Sequence, residues 1–151
     1  MMTQDEIFMR RALALAKEAA REGEVPVGAV VVRNGGVVSC GRNRRETEKN
    51  ALCHAELEAI GSACRKLGGW RLWECQLYVT LEPCPMCAGA VINARIPRVV
   101  FGAYDKKAGS CGSVVNLFGL PYNHRPQVLG GVLESECAAL LTEFFEQLRN
   151  K

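Results

Sequence analysis

The chain has 151 residues, 48% of them hydrophobic, and a formal charge of +3. That suits one domain, 1–151, burying about 70% of the surface the unfolded chain would expose. No apolar run approaches the roughly 20 residues a membrane span needs, and a charge this small permits a nucleic-acid partner without arguing for one.

The N-terminus, Met1–Glu6, lacks the basic start and apolar stretch of a signal peptide, so a cytoplasmic protein with no membrane partner is expected. Thr3 with Glu6 fits a capping box. Phe8, Ala12, Leu15 and Ala19 then recur at helical spacing as far as about Arg21, and Gly23 ends the helix. Val25–Val32 is a β-branched run suited to a buried strand. Asn34-Gly35-Gly36 is a turn signal, and Val37–Asn43 returns as the second strand of a hairpin. Arg42, Arg44, Arg45 and Lys49 cluster next, but Glu46 and Glu48 interrupt them, which favours a solvated loop.

A second helix is expected from about His54 to Leu67, stopped by Gly68-Gly69. Leu77–Leu81 is a third strand. Pro83 breaks it, and Pro85 fits the first position of a helix running to about Ala94. Arg98–Phe101 is a fourth strand, Ser113–Phe118 a short helix, and Gln127–Leu129 a fifth strand. Glu134–Arg149 closes the chain as a helix with Cys137, Leu140, Leu141, Phe144 and Leu148 on one side. Strands and helices alternate after the hairpin, which favours an α/β fold with helices on both faces of a sheet.

Two short stretches carry chemistry: His54-Ala55-Glu56, and Pro83-Cys84-Pro85-Met86-Cys87. With Pro85 opening a helix, Cys84 is its cap and Cys87 lies in its first turn. Residues three apart share a helix face. Unpaired N–H groups at the helix start favour the thiolate form that binds metal. Two thiolates and one imidazole suit zinc. His54 and Glu56 diverge by roughly 200° on a regular helix, so Glu56 reads as an acid/base beside the ion rather than as a ligand. Three ligands leave the fourth position open for water, the pattern of a catalytic site.

Two alternatives stay open from spacing alone. Cys84 and Cys87 could be a redox pair. A closed structural zinc would need a fourth ligand, for which Cys53, Cys111 and His124 are candidates. Cys40, Cys53, Cys64, Cys75, Cys111 and Cys137 are scattered among apolar neighbours and are expected to pack as small hydrophobes.

The pattern His-x-Glu followed by Pro-Cys-x-x-Cys is the signature of the zinc-dependent deaminases. Val25–Val30, Tyr78–Ala90, Val99–Ala103, Asn123-His124 and Glu136–Leu141 extend the likeness over nearly the whole chain. The chain thus resembles the bacterial tRNA-specific adenosine deaminases of the cytidine/deoxycytidylate deaminase superfamily. That resemblance implies a three-layer α/β/α sandwich with a five-stranded mixed sheet, one zinc ion per chain and a homodimer. It implies conversion of the wobble adenosine of a tRNA anticodon stem-loop, chiefly of arginine tRNA, to inosine. By the same likeness His54, Cys84 and Cys87 are zinc ligands and Glu56 is the proton shuttle. Asn43 would grip the adenine, its alternative being a turn cap. Asp105 would face the nucleotide before the target, its alternative being a solvated loop acid. Phe144 and Phe145 are expected to favour the core. Cys53, where the family is expected to carry a small nonligating residue, is a departure, and His124 is left without a role.

Two other functions compete. A deaminase of free bases or nucleosides would share every zinc-site residue but need no RNA-binding face. A noncatalytic partner subunit could lose its proton shuttle, yet Glu56 is present.

Overall fold

The computed structural model describes residues 1–150. The first helix, α1 (Gln4–Arg21), starts on the expected capping box: Thr3 and Glu6 exchange backbone and side-chain hydrogen bonds. Its buried face is Phe8, Met9, Ala12, Leu13, Ala16 and Ala19, with Leu15 only half-buried. Strands β1 (Gly28–Arg33) and β2 (Gly36–Arg42) form the hairpin. Asn34 and Gly35 both have positive φ, 51° and 76°, as the tight hairpin turn requires.

The first strand begins three residues later than the β-branched run suggested. Pro26 has no N–H to give a ladder. The carbonyls of Val25 and Val27 instead accept from the Asn43 side chain and the Asn43 backbone N–H. Val25–Val27 is therefore a loop wall rather than strand.

A short helix, α2 (Arg45–Glu48), occupies the stretch expected to be loop. The long α3 (Ala55–Leu67) follows, with His54 as its N-cap and Gly68 as its left-handed C-cap. Then come β3 (Cys75–Leu81), α4 (Pro85–Ala94), β4 (Arg98–Ala103), β5 (Gln127–Leu129) and α5 (Glu134–Arg149). Ser113–Phe118 is not a helix; a single 3₁₀ turn covers Leu117–Gly119. A bridge between Cys111 and Asn116 and the capture of Ser113 by Glu82 hold that segment open.

The sheet runs β2-β1-β3-β4-β5. β1 is antiparallel to both β2 and β3, whereas β3, β4 and β5 are parallel. The sheet is thus mixed and five-stranded, as expected. Side chains alternate across it with the strand period of two. Ala29, Val31, Leu77, Val79, Val99 and Phe101 pack beneath α3 and α4. Val30, Val32, Tyr78 and Val100 pack against α1 and α5 on the other face. These are the three layers.

The pairing pattern places the functional loops together. β2 and β3 are each antiparallel to β1, so they point the same way, and β4 follows β3. The C-terminal ends of β2, β3 and β4 therefore share one edge of the sheet with the N-terminal approach to β1. Crevices at the carboxyl ends of strands are the usual ligand sites of such sheets. Gly41 lets α3 reach that edge: a Cβ there would strike the Ala55 carbonyl oxygen and the Ala59 N–H. Any larger residue would push away the turn that carries His54 and Glu56.

The cysteines divide. Cys75, Cys111 and Cys137 are buried as expected and Cys53 and Cys64 half-buried, but Cys40 is exposed. It lies on the edge strand β2 and opens onto a hollow beside α1. Phe144 is half-buried, whereas Phe145 and Leu148 are exposed near the end of α5.

Candidate active site

Three elements meet at the sheet edge to build the site. α3 presents His54 at its cap and Glu56 in its first turn; the imidazole is not used to cap the helix. The break after β3 presents Cys84 as the cap of α4, with Cys87 in its first turn. His54 Nδ1 lies 3.6 Å from Cys84 Sγ and 3.6 Å from Cys87 Sγ. The three donor atoms fall within 4.8 Å of one another and can hold one metal ion. Among the described residues, no Cys53, Cys111 or His124 atom joins this cluster. His124 Nε2 instead sits 2.7 Å from the Ile96 carbonyl oxygen, with its ring edge-on to Trp73. The closed four-ligand alternative thus lacks its fourth donor.

The electrostatics of the three are linked. Cys84 is pulled down to about 4, first by the Cys87 S–H donating to it and then by His54, against the cost of burial. Cys87 is pushed far up, because it is the donor in that pair and because it is buried. His54 is raised, chiefly by its hydrogen bond to Cys84. The opposite shifts reflect two close sulfurs that resist carrying two negative charges without a cation between them.

Glu56 is 4% exposed. Burial raises its pKa to about 7, opposed by its own backbone N–H and by the charge of His54. A carboxyl tuned close to neutrality is suited to carry a proton in both directions.

His54, Glu56 and Cys84 line a cavity of about 510 Å³, within the range of small-molecule sites. Val25, Val27, Asn43 and Arg45 form one side, and Tyr104, Asp105, Lys106, Lys107 and Ala108 the other; Leu141 and Phe145 of α5 reach its rim. A hollow of about 520 Å³ beside α1, lined by Arg11, Leu15, Lys17, Arg21 and Cys40 among others, gathers no comparable set of proton carriers or metal donors.

Asn43 is buried and lines the cavity. Its Nδ2 donates to the Val25 carbonyl (3.1 Å) and its Oδ1 accepts from the Arg45 N–H (3.2 Å). Half of what an amide can offer is thereby spent on the turn, leaving one N–H and one lone pair. Asp105 also lines the cavity, with Oδ1 accepting from the Lys107 and Ala108 N–H groups.

Two buried carboxylates escaped the sequence analysis. Glu24, 1% exposed, accepts from the N–H groups of Glu46 and Thr47 and from the Thr47 hydroxyl, and so pins α2 beside Asn43. Burial pushes its pKa up, but Thr47 and the backbone donors outweigh that and hold it low. Glu82, 2% exposed, does the same for the loop after β4. Burial is again opposed, by Ser113 and the N–H groups of Asp105 and Cys111, and the net shift is downward. Position was the available signal: each acid directly precedes a hydrophobic or proline-containing stretch that leads into the site.

The family model of the MafB19-like deaminases matches residues 3–149. The tRNA-specific adenosine deaminase of Bacillus subtilis is 52% identical over 99% of this chain and 94% of its own length. The chain belongs to the tRNA-specific adenosine deaminases. A solved structure from the tRNA A34 deaminases that carry out A-to-I editing at the wobble position of transfer RNA superposes with a TM-score of 0.87 at 45% identity. It covers 89% of this chain and 99% of that one. The guanine deaminase of Bacillus subtilis is more distant, with TM-score 0.64 and 32% identity over 97% of this chain and 94% of that one. The tRNA adenosine deaminases thus share with a free-base deaminase the cytidine-deaminase-like α/β/α frame.

Proposed function

We propose that this chain, acting as one deaminase domain over 1–151, converts the wobble adenosine of a tRNA anticodon to inosine and releases ammonia. The observation that carries the reading is the His54–Cys84–Cys87 triad with the buried Glu56 beside it. Zinc–sulfur bonds of about 2.3 Å and zinc–nitrogen bonds of about 2.0–2.1 Å at a tetrahedral angle separate N from S by about 3.6 Å. Both Nδ1–Sγ distances are 3.6 Å. The triad therefore fits one zinc ion per chain, with no fourth protein donor among the described residues.

His54, Cys84 and Cys87 would hold the zinc ion, which would lower the pKa of a bound water toward neutrality. Glu56 is placed to take a proton from the attacking water. The same carboxyl gives that proton to N1 of the adenine as the oxygen bonds to C6, then takes the proton of the new C6 hydroxyl and gives it to the amine as the C6–N bond breaks and ammonia leaves. Val25, Val27 and Leu81 give the base an apolar slot. Asn43 uses its remaining N–H and lone pair on the base. Asp105 lies at the mouth, where a carboxylate can accept from a ribose 2′-hydroxyl and help tell RNA from DNA. Arg45, Lys106 and Lys107 at the rim favour a phosphate backbone. The base must leave its stack to enter, which an anticodon loop permits.

The likeness in sequence supports arginine tRNA as the substrate and a homodimer as the working form. Exposed Leu120, Tyr122, Val128 and Leu129 offer apolar surface for a second copy. Eight free cysteines suit the reducing cytoplasm, and among the described residues no helix is long and apolar enough to cross a membrane. Incubation with an anticodon stem-loop, and separately with adenine, guanine and cytosine, tests the substrate class. Turnover is expected on the RNA alone. Turnover confined to the free bases would move the chain to the guanine-deaminase type of reaction.

A further inference from the structure

The outer wall of the cavity is tied down from beneath by one carboxylate. Glu82 follows β3 directly and is 2% exposed. Its oxygens accept from the N–H groups of Asp105 (3.0 Å), Cys111 (3.1 Å) and Ser113 (3.0 Å), and from the Ser113 hydroxyl. A carboxylate has about four acceptor sites, and here all are taken by neutral donors from one loop. Among the described residues no ion pair compensates the charge: neither Lys106 nor Lys107 bridges to it.

The loop is shaped around this group. A Cβ on Gly109 would collide with the Glu82 carboxyl and with the Asp105 carbonyl oxygen. The loop also closes on itself and on the site: Gly109 N–H donates to Asp105 O (2.8 Å), and Ser110 N–H to Pro83 O (2.8 Å). A buried charge is costly unless it is well satisfied, so a packing role alone would be met more readily by an apolar residue. What the carboxylate gains is a defined backbone from Asp105 to Ser113, whose leading residues form the cavity wall.

We propose that Glu82 is a positioning residue for substrate capture. It fixes the Tyr104–Ser113 loop so that Asp105 and its neighbours meet the RNA in one arrangement, and it leaves the proton transfers to Glu56. This inference rests on the tRNA reading above.

The test is steady-state kinetics on the anticodon stem-loop with zinc content measured in parallel. Glu82→Gln sets an amide against N–H donors and breaks part of the anchor. KM is expected to rise about tenfold, since a misplacement of about 1 Å far from the chemistry can cost up to 10²-fold, with kcat within about threefold and zinc unchanged. Gly109→Ala disturbs the same anchor from the loop side and is expected to match it; Ser113→Ala, which removes one bond, falls between. The Glu82→Gln/Gly109→Ala pair is expected to be little worse than the larger single effect, because both break one unit. A purely structural role would lower the active fraction, hence kcat, and leave KM alone. That result, an unchanged KM, or full additivity would overturn the inference. Should Glu82→Gln not fold, Gly109→Ala and Ser113→Ala decide it by the same KM criterion. A parent chain inactive on the stem-loop would instead contradict the tRNA reading itself.

Discussion

Glu56→Gln is expected to abolish inosine formation and, in the metal-free protein above pH 7, to stabilise the fold. The two effects have one cause. A positioned proton carrier contributes about 10²–10⁴-fold to a rate, and an amide cannot carry the proton, so the loss should reach that size while zinc stays bound. The stability effect follows from where the carboxyl lies. It titrates near 4.5 when unperturbed and at about 7 in the fold, because burial disfavours its charged form. Between those values the folded state keeps a proton that the unfolded chain releases. Stability therefore falls as pH rises from about 4.5 to 7, and the whole deficit is present above 7. A shift of that size corresponds to on the order of 3 kcal/mol, and glutamine escapes it. Thermal melts of both metal-free proteins at pH 5 and pH 8 check this. The melting temperatures should be similar at the lower pH and separate by several degrees at the higher one. A variant that still forms inosine within tenfold of the parent would show that another group carries the proton.

Cys87→Ser is expected to empty the metal site. Cys87 is fully buried in the first turn of α4, and among the described residues its Sγ is one of three donors in the cluster. A serine hydroxyl stays protonated and is a poor partner for zinc beside a thiolate and an imidazole. Loss of mere supporting residues costs 10–100-fold in metal affinity; loss of a ligand should exceed about 100-fold. After dialysis the parent should retain about one zinc per chain by metal analysis and the variant almost none, with inosine formation lost in parallel. Cys137→Ser is the matched control. Cys137 is equally buried but lies in the α1–α5 layer on the opposite face of the sheet, so it should keep the metal. Stoichiometric zinc in Cys87→Ser would mean that the triad is not the metal site.

The chemistry of this site was legible because its groups are local in sequence. Cys84 and Cys87 are three apart at a helix start marked by Pro85, so both the element and the shared face could be read. The two-residue offset of His54 and Glu56 separated ligand from proton carrier in the same way. Glu24 and Glu82 were not legible for the opposite reason. Their partners lie 22 to 31 residues away in loops without periodicity, and only the fold brings them together. The same distinction holds for the elements. α1, α3, α4 and α5 announced themselves through caps, prolines and spacing. The start of β1 was misjudged because Val25–Val27 has strand composition but gives its carbonyls to Asn43. α2 was missed because four polar residues carry no apolar period, and the turn around Asn116 because it is set by the Asn116 side chain and its bridge to Cys111 rather than by any periodicity.

Asn43 and Asp105 show where likeness and geometry meet. Both stand at the cavity, and both already spend hydrogen bonds on their own turns. Turn capping therefore does not compete with the recognition roles proposed for them: the capped turn fixes the direction of the atoms left over. Cys53 is half-buried and outside the donor cluster, so a thiol next to His54 does not complete a closed site.

The central claim is that this pocket takes one adenosine from one place in a folded RNA. Mapping inosine along a whole unmodified tRNA after treatment with the zinc-loaded chain tests it most directly. Inosine at the wobble position alone, absent from the Glu56→Gln reaction, is the predicted result; inosine spread over other exposed adenosines, or none while free guanine is consumed, would contradict it.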